Sequence, residues 1–216
     1  METVEDVMVM ASKTASPRRN LARIYLALLS VIIALLLTSA SQAQEIAVQL
    51  GPAQSKIEFT LGSTLHTVEG TFKLKSGSIR YDPATGKMGG SIVVDATSAE
   101  SGNAGRDRKM HREILESGKY PDIVLTPNRG DGTFNAKGPS RLDVSGVFSL
   151  HGQDHEITLP VEIQPAGRQM TLTTHLTIPY IKWGLKNPST FILRASDKVE
   201  IEIHAVGQLV GEQARR

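Results

Sequence analysis

Cysteine is absent from all 216 residues. That removes disulfides, thiolate metal sites, a cysteine nucleophile and the acylated cysteine of a bacterial lipoprotein, so the fold must be stable without staples. Aromatic residues make up only 5% of the chain, too few to fill a large core by themselves. After residue 43 the chain carries 20 basic and 19 acidic residues, with no cluster of Lys and Arg. A nucleic-acid partner, which calls for a basic face, is therefore not expected. No apolar run reaches the roughly 20 residues that span hydrocarbon. No Ser/His/Asp order or carboxylate pair stands out from composition, so no active site is expected.

What is present begins with an address. Arg18, Arg19 and Arg23 precede an apolar run from Ile24 to Leu37, and Ser41-Gln42-Ala43 offers small residues at the positions a signal peptidase reads. Cleavage is expected after Ala43, leaving a single domain over residues 44–216 in the periplasm; an uncleaved anchor is the alternative. Arg18-Arg19-Asn20-Leu21 resembles a twin-arginine signal, but the Leu-rich core suits the general secretory route better. Met8 and Met10 are alternative starts.

Beyond residue 44 the dominant signal has period two, the mark of strands with one dry and one wet face. Val68, Gly70, Phe72 and Leu74 alternate with Glu69, Thr71, Lys73 and Lys75. Leu142, Val144, Gly146, Phe148 and Leu150 alternate with polar residues, and so do Ile157, Leu159, Val161 and Ile163; the two runs form a hairpin around His151-Gly152-Gln153-Asp154. Met170, Leu172, Leu176 and Ile178 make a further strand, and Val199, Ile201 and Ile203 another. Weaker strands are expected at 56–61, 91–95 and 123–126, giving about eight. Ala104 to Ser117 reads as a short helix, with Met110, Ile114 and Leu115 at helical spacing and Tyr120-Pro121 ending it. Tyr81-Asp82-Pro83-Ala84-Thr85-Gly86 has turn chemistry, and Lys186 to Ser189 reads as a loop. The expected fold is all-β, an eight-stranded antiparallel barrel with one short helix in a connection, because closure removes unpaired edges. Such a barrel is filled by its own side chains or encloses one ligand, and periodicity leaves both open.

The residues resemble the YceI-like family of polyisoprenoid-binding proteins over nearly the whole of residues 44–216. Ser55-Lys56-Ile57-Glu58-Phe59 with Gly70-Thr71-Phe72 is similar to the family's first hairpin. Asn103-Ala104-Gly105-Arg106-Asp107, then Leu115 and Lys119-Tyr120-Pro121, resembles its Arg-Asp helix and Tyr-Pro stretch. Leu150-His151-Gly152 and Leu159-Pro160-Val161 resemble a third element. The resemblance implies a lipocalin-like barrel in the periplasm that encloses a long-chain isoprenoid or similar lipid, with no cofactor and no reaction. One departure is that Ile178 to Lys182 precedes Trp183-Gly184, where many members carry an Asn-Arg pair, so the contacts to the lipid's polar end are expected to differ.

On this reading the inward residues Phe59, Val68, Phe72, Val94, Met110, Leu142, Val144, Phe148, Ile163, Leu172, Leu176 and Ile201 line the lumen. His66 and Arg106 are candidates for a head group, and Trp183 and Phe191 for an apolar lip or a plug at one end of the barrel, with plain packing as the alternative for both aromatics. Arg106 and Asp107 can hold an anion beside a helix N-terminus, or Asp107 can cap the first turn while Arg106 serves a surface ion pair. His151 and His155, four apart in a hairpin, lack an evident third metal ligand, and no metal is expected. A histidine-using haem or enzymatic barrel and a ligand-free interaction module are the competing readings. Oligomeric state is open, with a homodimer among the options.

Overall fold

Alternating apolar and polar residues bury one face of every strand, and the computed structural model, which describes residues 45–210, shows how those faces close on one another. The elements are β1 (Ile46–Leu50), β2 (Lys56–Leu61), β3 (Val68–Tyr81), β4 (Met88–Glu100), α1 (Ala104–Lys109, continued by a π turn over Met110–Ile114), β5 (Asp122–Thr133), β6 (Ser140–Leu150), β7 (Gln153–Ala166), β8 (Gln169–Ile178) and β9 (Val199–Val210). The readings that fall on residues 1–43 lie outside the described residues.

All pairings are antiparallel, in the order β3-β2-β9-β8-β7-β6-β5-β4, and β4 pairs back on β3 to close the ring. β1 occupies the same place between β3 and β9 as β2 does. The turn Pro52–Gln54 divides what would be one long strand into two, and the eightfold closure expected from the sequence holds. β1 itself was not legible as a strand.

Two irregularities explain where the alternation stops. The register shifts between Leu74 and Ser76 of β3, so the inward set changes from Val68, Phe72 and Leu74 to Gly77, Ile79 and Tyr81. A second shift separates Pro127 from Arg129 in β5. Each inserted residue moves the pattern to the other parity, as a bulge must. The β6–β7 hairpin is tighter than expected. Leu150 pairs Gln153, leaving His151 and Gly152 as a two-residue turn with φ of 55° and 75°, the geometry that matches strand twist. A side chain at Gly152 would also strike the Tyr120 ring.

Outward faces are wet: Lys73, Glu69 and Asp143 are exposed while Leu74, Leu142 and Val144 are buried.

Candidate functional site

The inward side chains do not fill the barrel. A cavity of about 560 Å³ lies under α1, and a second of about 130 Å³ lies deeper. Ile57, Val94, Ile123, Phe148, Leu176 and Ile203 line both, so they form the waist between two chambers of one lumen.

The walls of the upper chamber are aliphatic and aromatic, and its polar groups sit at the mouth: Ser63, His66, Ser101, Arg106 and Lys109. The mouth is shaped by α1. Asn103 caps the helix, its Oδ1 accepting from the N–H groups of Gly105 and Arg106 at 3.0 Å each. Arg106 then reaches back, donating from Nε to Ser101 Oγ at 2.6 Å and from Nη2 to Ser101 O at 2.7 Å. Asp107 Oδ1 accepts from the Ser101 N–H at 2.9 Å and from its hydroxyl. His111 bridges the far side, with Nε2 2.9 Å from Ala99 O and Nδ1 2.9 Å from Ser117 Oγ. Because a carbonyl can only accept, Nε2 carries a proton. These bonds pin the helix to the end of β4. Asp107 is therefore a brace to Ser101, and the capping role falls to Asn103.

The loop between β8 and β9 covers the rest of the mouth. Tyr180 is buried, and its hydroxyl donates to Ser196 O at 2.7 Å. That burial, with a smaller push from Asp197, raises its pKa to about 12. Leu185 and Leu193 point into the upper chamber. Lys109 extends toward Pro188 O at 3.4 Å, tying α1 to this loop. Among the described residues neither Arg106 nor Lys109 has an ion-pair partner within 4 Å; Arg106 shares the Ser101 hydroxyl with Asp107, and Lys109 lies in the field of Glu113.

Of the expected residues, Phe59, His66, Val68, Phe72, Arg106, Met110 and Ile201 line the upper chamber, with His66 on its exposed rim. Val94, Phe148 and Leu176 lie at the waist, and Leu142, Val144, Ile163 and Leu172 line the lower chamber. Two of the expected residues line neither chamber. Trp183 stacks on His155 at 4.0 Å and 6° and packs on Phe148 at 5.8 Å, which is plain packing. Phe191 is fully exposed. The turn closed by Thr190 and Leu193 sends Leu193 inward and leaves Phe191 and Ile192 at its tip. His151 and His155 do not converge, since the His151 ring packs tilted against Tyr120 at 4.5 Å while His155 stacks on Trp183.

The sequence reading missed Ser101 and Lys109 at the mouth, and Tyr180, Leu185 and Leu193 in the covering loop. Helical spacing from Arg106 points to Lys109, three residues on; the loop residues carry no periodic signal.

A sequence model of the YceI-like domain matches residues 49–207. The chain belongs to the YceI-like family. A UPF0312 protein of Vibrio parahaemolyticus is 29% identical over 140 residues, covering 62% of this chain and 71% of that protein. One from Vibrio cholerae is 26% identical over 179 residues, covering 78% and 89%. Among solved structures, BcnA of Burkholderia cenocepacia superposes with a TM-score of 0.62 at 20% identity, over 73% of this chain and 98% of that one. A polyisoprenoid-binding domain from Saccharophagus degradans, implicated in plant cell wall breakdown, superposes with a TM-score of 0.61 at 19% identity, over 76% and 99%. At these identities the structures establish the shared fold of the YceI-like barrel.

One local feature interrupts the wall of this YceI-like barrel. The β7–β8 ladder runs from Ala166↔Gln169 to Val161↔Thr174 and stops, while β7 stays paired to β6 and β8 to β9. Pro160 sits where the strands part; its carbonyl accepts from Thr174 Oγ1 at 2.8 Å. A residue's nitrogen and oxygen face the same neighbouring strand, so Pro160 also removes the amide that would have continued the ladder. A groove of about 360 Å³ lies over the parted strands, between Thr158, Pro160, His175, Thr177 and Trp183.

Proposed function

We propose that this protein binds a long-chain lipid of the polyisoprenoid type in its lumen, as an exported periplasmic carrier that performs no reaction of its own. The observation that carries this reading is the upper chamber itself, about 560 Å³ walled by apolar side chains with its polar groups confined to one end. A lipid has the same asymmetry. Each CH₂ taken from water contributes about 0.8 kcal/mol, so a long tail supplies the affinity. The head then rests among Arg106, Lys109 and His66, which set orientation more than strength. The Saccharophagus degradans domain, described as polyisoprenoid-binding, has the same fold and supports the choice of ligand class. Export is supported by the Arg18 to Ala43 segment.

The test is organic extraction of protein purified from an isoprenoid-rich host, followed by mass spectrometry. A long-chain lipid recovered in near-stoichiometric amount is the expected result. Protein that yields no lipid, and takes up none when a prenyl lipid is supplied in micelles, overturns the reading.

A further inference from the structure

The described residues expose four large apolar side chains, and three of them stand together. Leu65 is 64% exposed, Ile192 76% and Phe191 fully; the fourth, Val210, ends β9. A single exposed apolar residue needs no explanation, but a group does. The two loops that carry these three are fastened to one another. Thr64 N–H donates to Arg194 O at 2.9 Å, Arg194 N–H to Thr64 Oγ1 at 3.2 Å, and Ser196 N–H to Gly62 O at 2.8 Å. Their neighbours Ser63, His66, Leu193 and Ala195 line the upper chamber. The patch is therefore the outer lip of the cavity mouth, held by backbone bonds with its apolar groups turned to solvent.

Charge is distributed to match. The three segments framing the mouth, residues 62–67, 101–120 and 179–198, hold nine Lys and Arg against four Asp and Glu. The rest of residues 45–210 holds nine against fourteen. The loops that surround the mouth and carry the apolar lip are therefore net positive, while Glu69, Glu100, Asp122 and Glu200 stand at the adjoining strand ends. An apolar tip on net-positive loops is the pattern that seats in the headgroup layer of an anionic bilayer, where side chains enter the acyl boundary and nearby Lys and Arg add electrostatic attraction.

We propose that the mouth of the barrel docks on an anionic phospholipid surface, with Leu65, Phe191 and Ile192 entering the headgroup boundary. This would let a lipid pass between bilayer and lumen without crossing water. The proposal rests on the lipid-binding reading for its purpose, while its geometry stands on the lip and the charge alone.

Co-sedimentation with vesicles tests it, using equimolar phosphatidylglycerol and phosphatidylcholine against phosphatidylcholine alone. Parent protein and a Phe191→Ser/Ile192→Ser variant carry the same N-terminus, so their difference reports the lip. The parent should favour the anionic vesicles, lose binding as salt rises, and bind roughly tenfold or more tightly than the variant. The variant should keep the parent's thermal midpoint and its lipid uptake from micelles. Equal partitioning of parent and variant, no preference for the anionic vesicles, or a dimer in solution that buries the lip overturns docking. A parent that holds lipid yet ignores vesicles sinks docking and spares the lipid reading; one that binds vesicles but never holds lipid does the reverse.

Discussion

The two ends of the barrel are made from the same strands and differ in what crosses them. At the far end β1 runs between β3 and β9, and Leu50 lies over Gly77 and Gly207, where a Cβ would come within 2.6 Å and 3.2 Å of its side chain. Leu142, Met170 and Ala205 complete that packing, and only about 130 Å³ is left. At the mouth the side chains that enter, Leu185 and Leu193 among them, leave the lumen open. α1 and the β8–β9 loop arch over the lumen, pinned by side-chain bonds to β4 and to each other, and about 560 Å³ remains beneath them. One end is thus a core in which close packing sets stability, while the other is a chamber whose roof sets access.

That contrast can be broken by substitution. The largest effect is expected at the packed end. Gly207→Val would place its Cβ 2.4 Å from the Val48 side chain, so it should cost about 3 kcal/mol or more, read as a shift of the denaturation midpoint. Val144→Phe, in the same chamber, should cost about 1 to 3 kcal/mol for the same reason, whereas outward Ser145→Phe should leave stability nearly unchanged. Arg106→Gln removes a mouth cation and loosens the Ser101 brace. If the head group is anionic, affinity for it should fall several-fold while uptake of a neutral analogue changes little, which a paired titration would separate. The smallest effect concerns Tyr180. Its folded pKa, about 12, lies above the usual value near 10, so the folded state holds the proton longer than the unfolded one. The stability this contributes is complete below about pH 10 and is lost as pH rises toward 12. Tyr180→Phe should lose less over that window in pH-dependent unfolding.

Much of the wall was legible because inward and outward residues alternate without interruption in β6, in β7 and in the first half of β3. The pattern fails at Ser76 and Arg129, where the register shift changes the parity of every residue after it. It fails again at Pro52–Gln54, which hides the continuity of β1 with β2. The roof was less legible. Met110 falls at helical spacing and Arg106 stands in an Arg-Asp pair at the helix start, so both were found, but Leu185 and Leu193 reach the chamber from an irregular loop whose path is set by bonds such as Tyr180 to Ser196. Phe191, read as a lip residue, stands on the solvent side of that loop, two residues before the inward Leu193.

The export reading has its own check, since intact mass of periplasmic protein should give an N-terminus at Gln44. Retention of the Ile24 to Leu37 run would favour an anchor instead.

The central claim, that the upper chamber is a ligand cavity and not an unfilled core, is tested most directly at the waist. Val94 lines both chambers and pairs with Leu74 and Ile123. Lipid bound per protein, counted by native mass spectrometry for Val94→Phe beside the parent and Ser145→Phe, is the measurement. If the lumen holds the chain, Val94→Phe should lose most of its lipid while its delipidated form unfolds within about 1 kcal/mol of the parent, because the larger ring enters free space. A Val94→Phe protein that retains the parent's lipid load, or one destabilised as strongly as Val144→Phe, would contradict it.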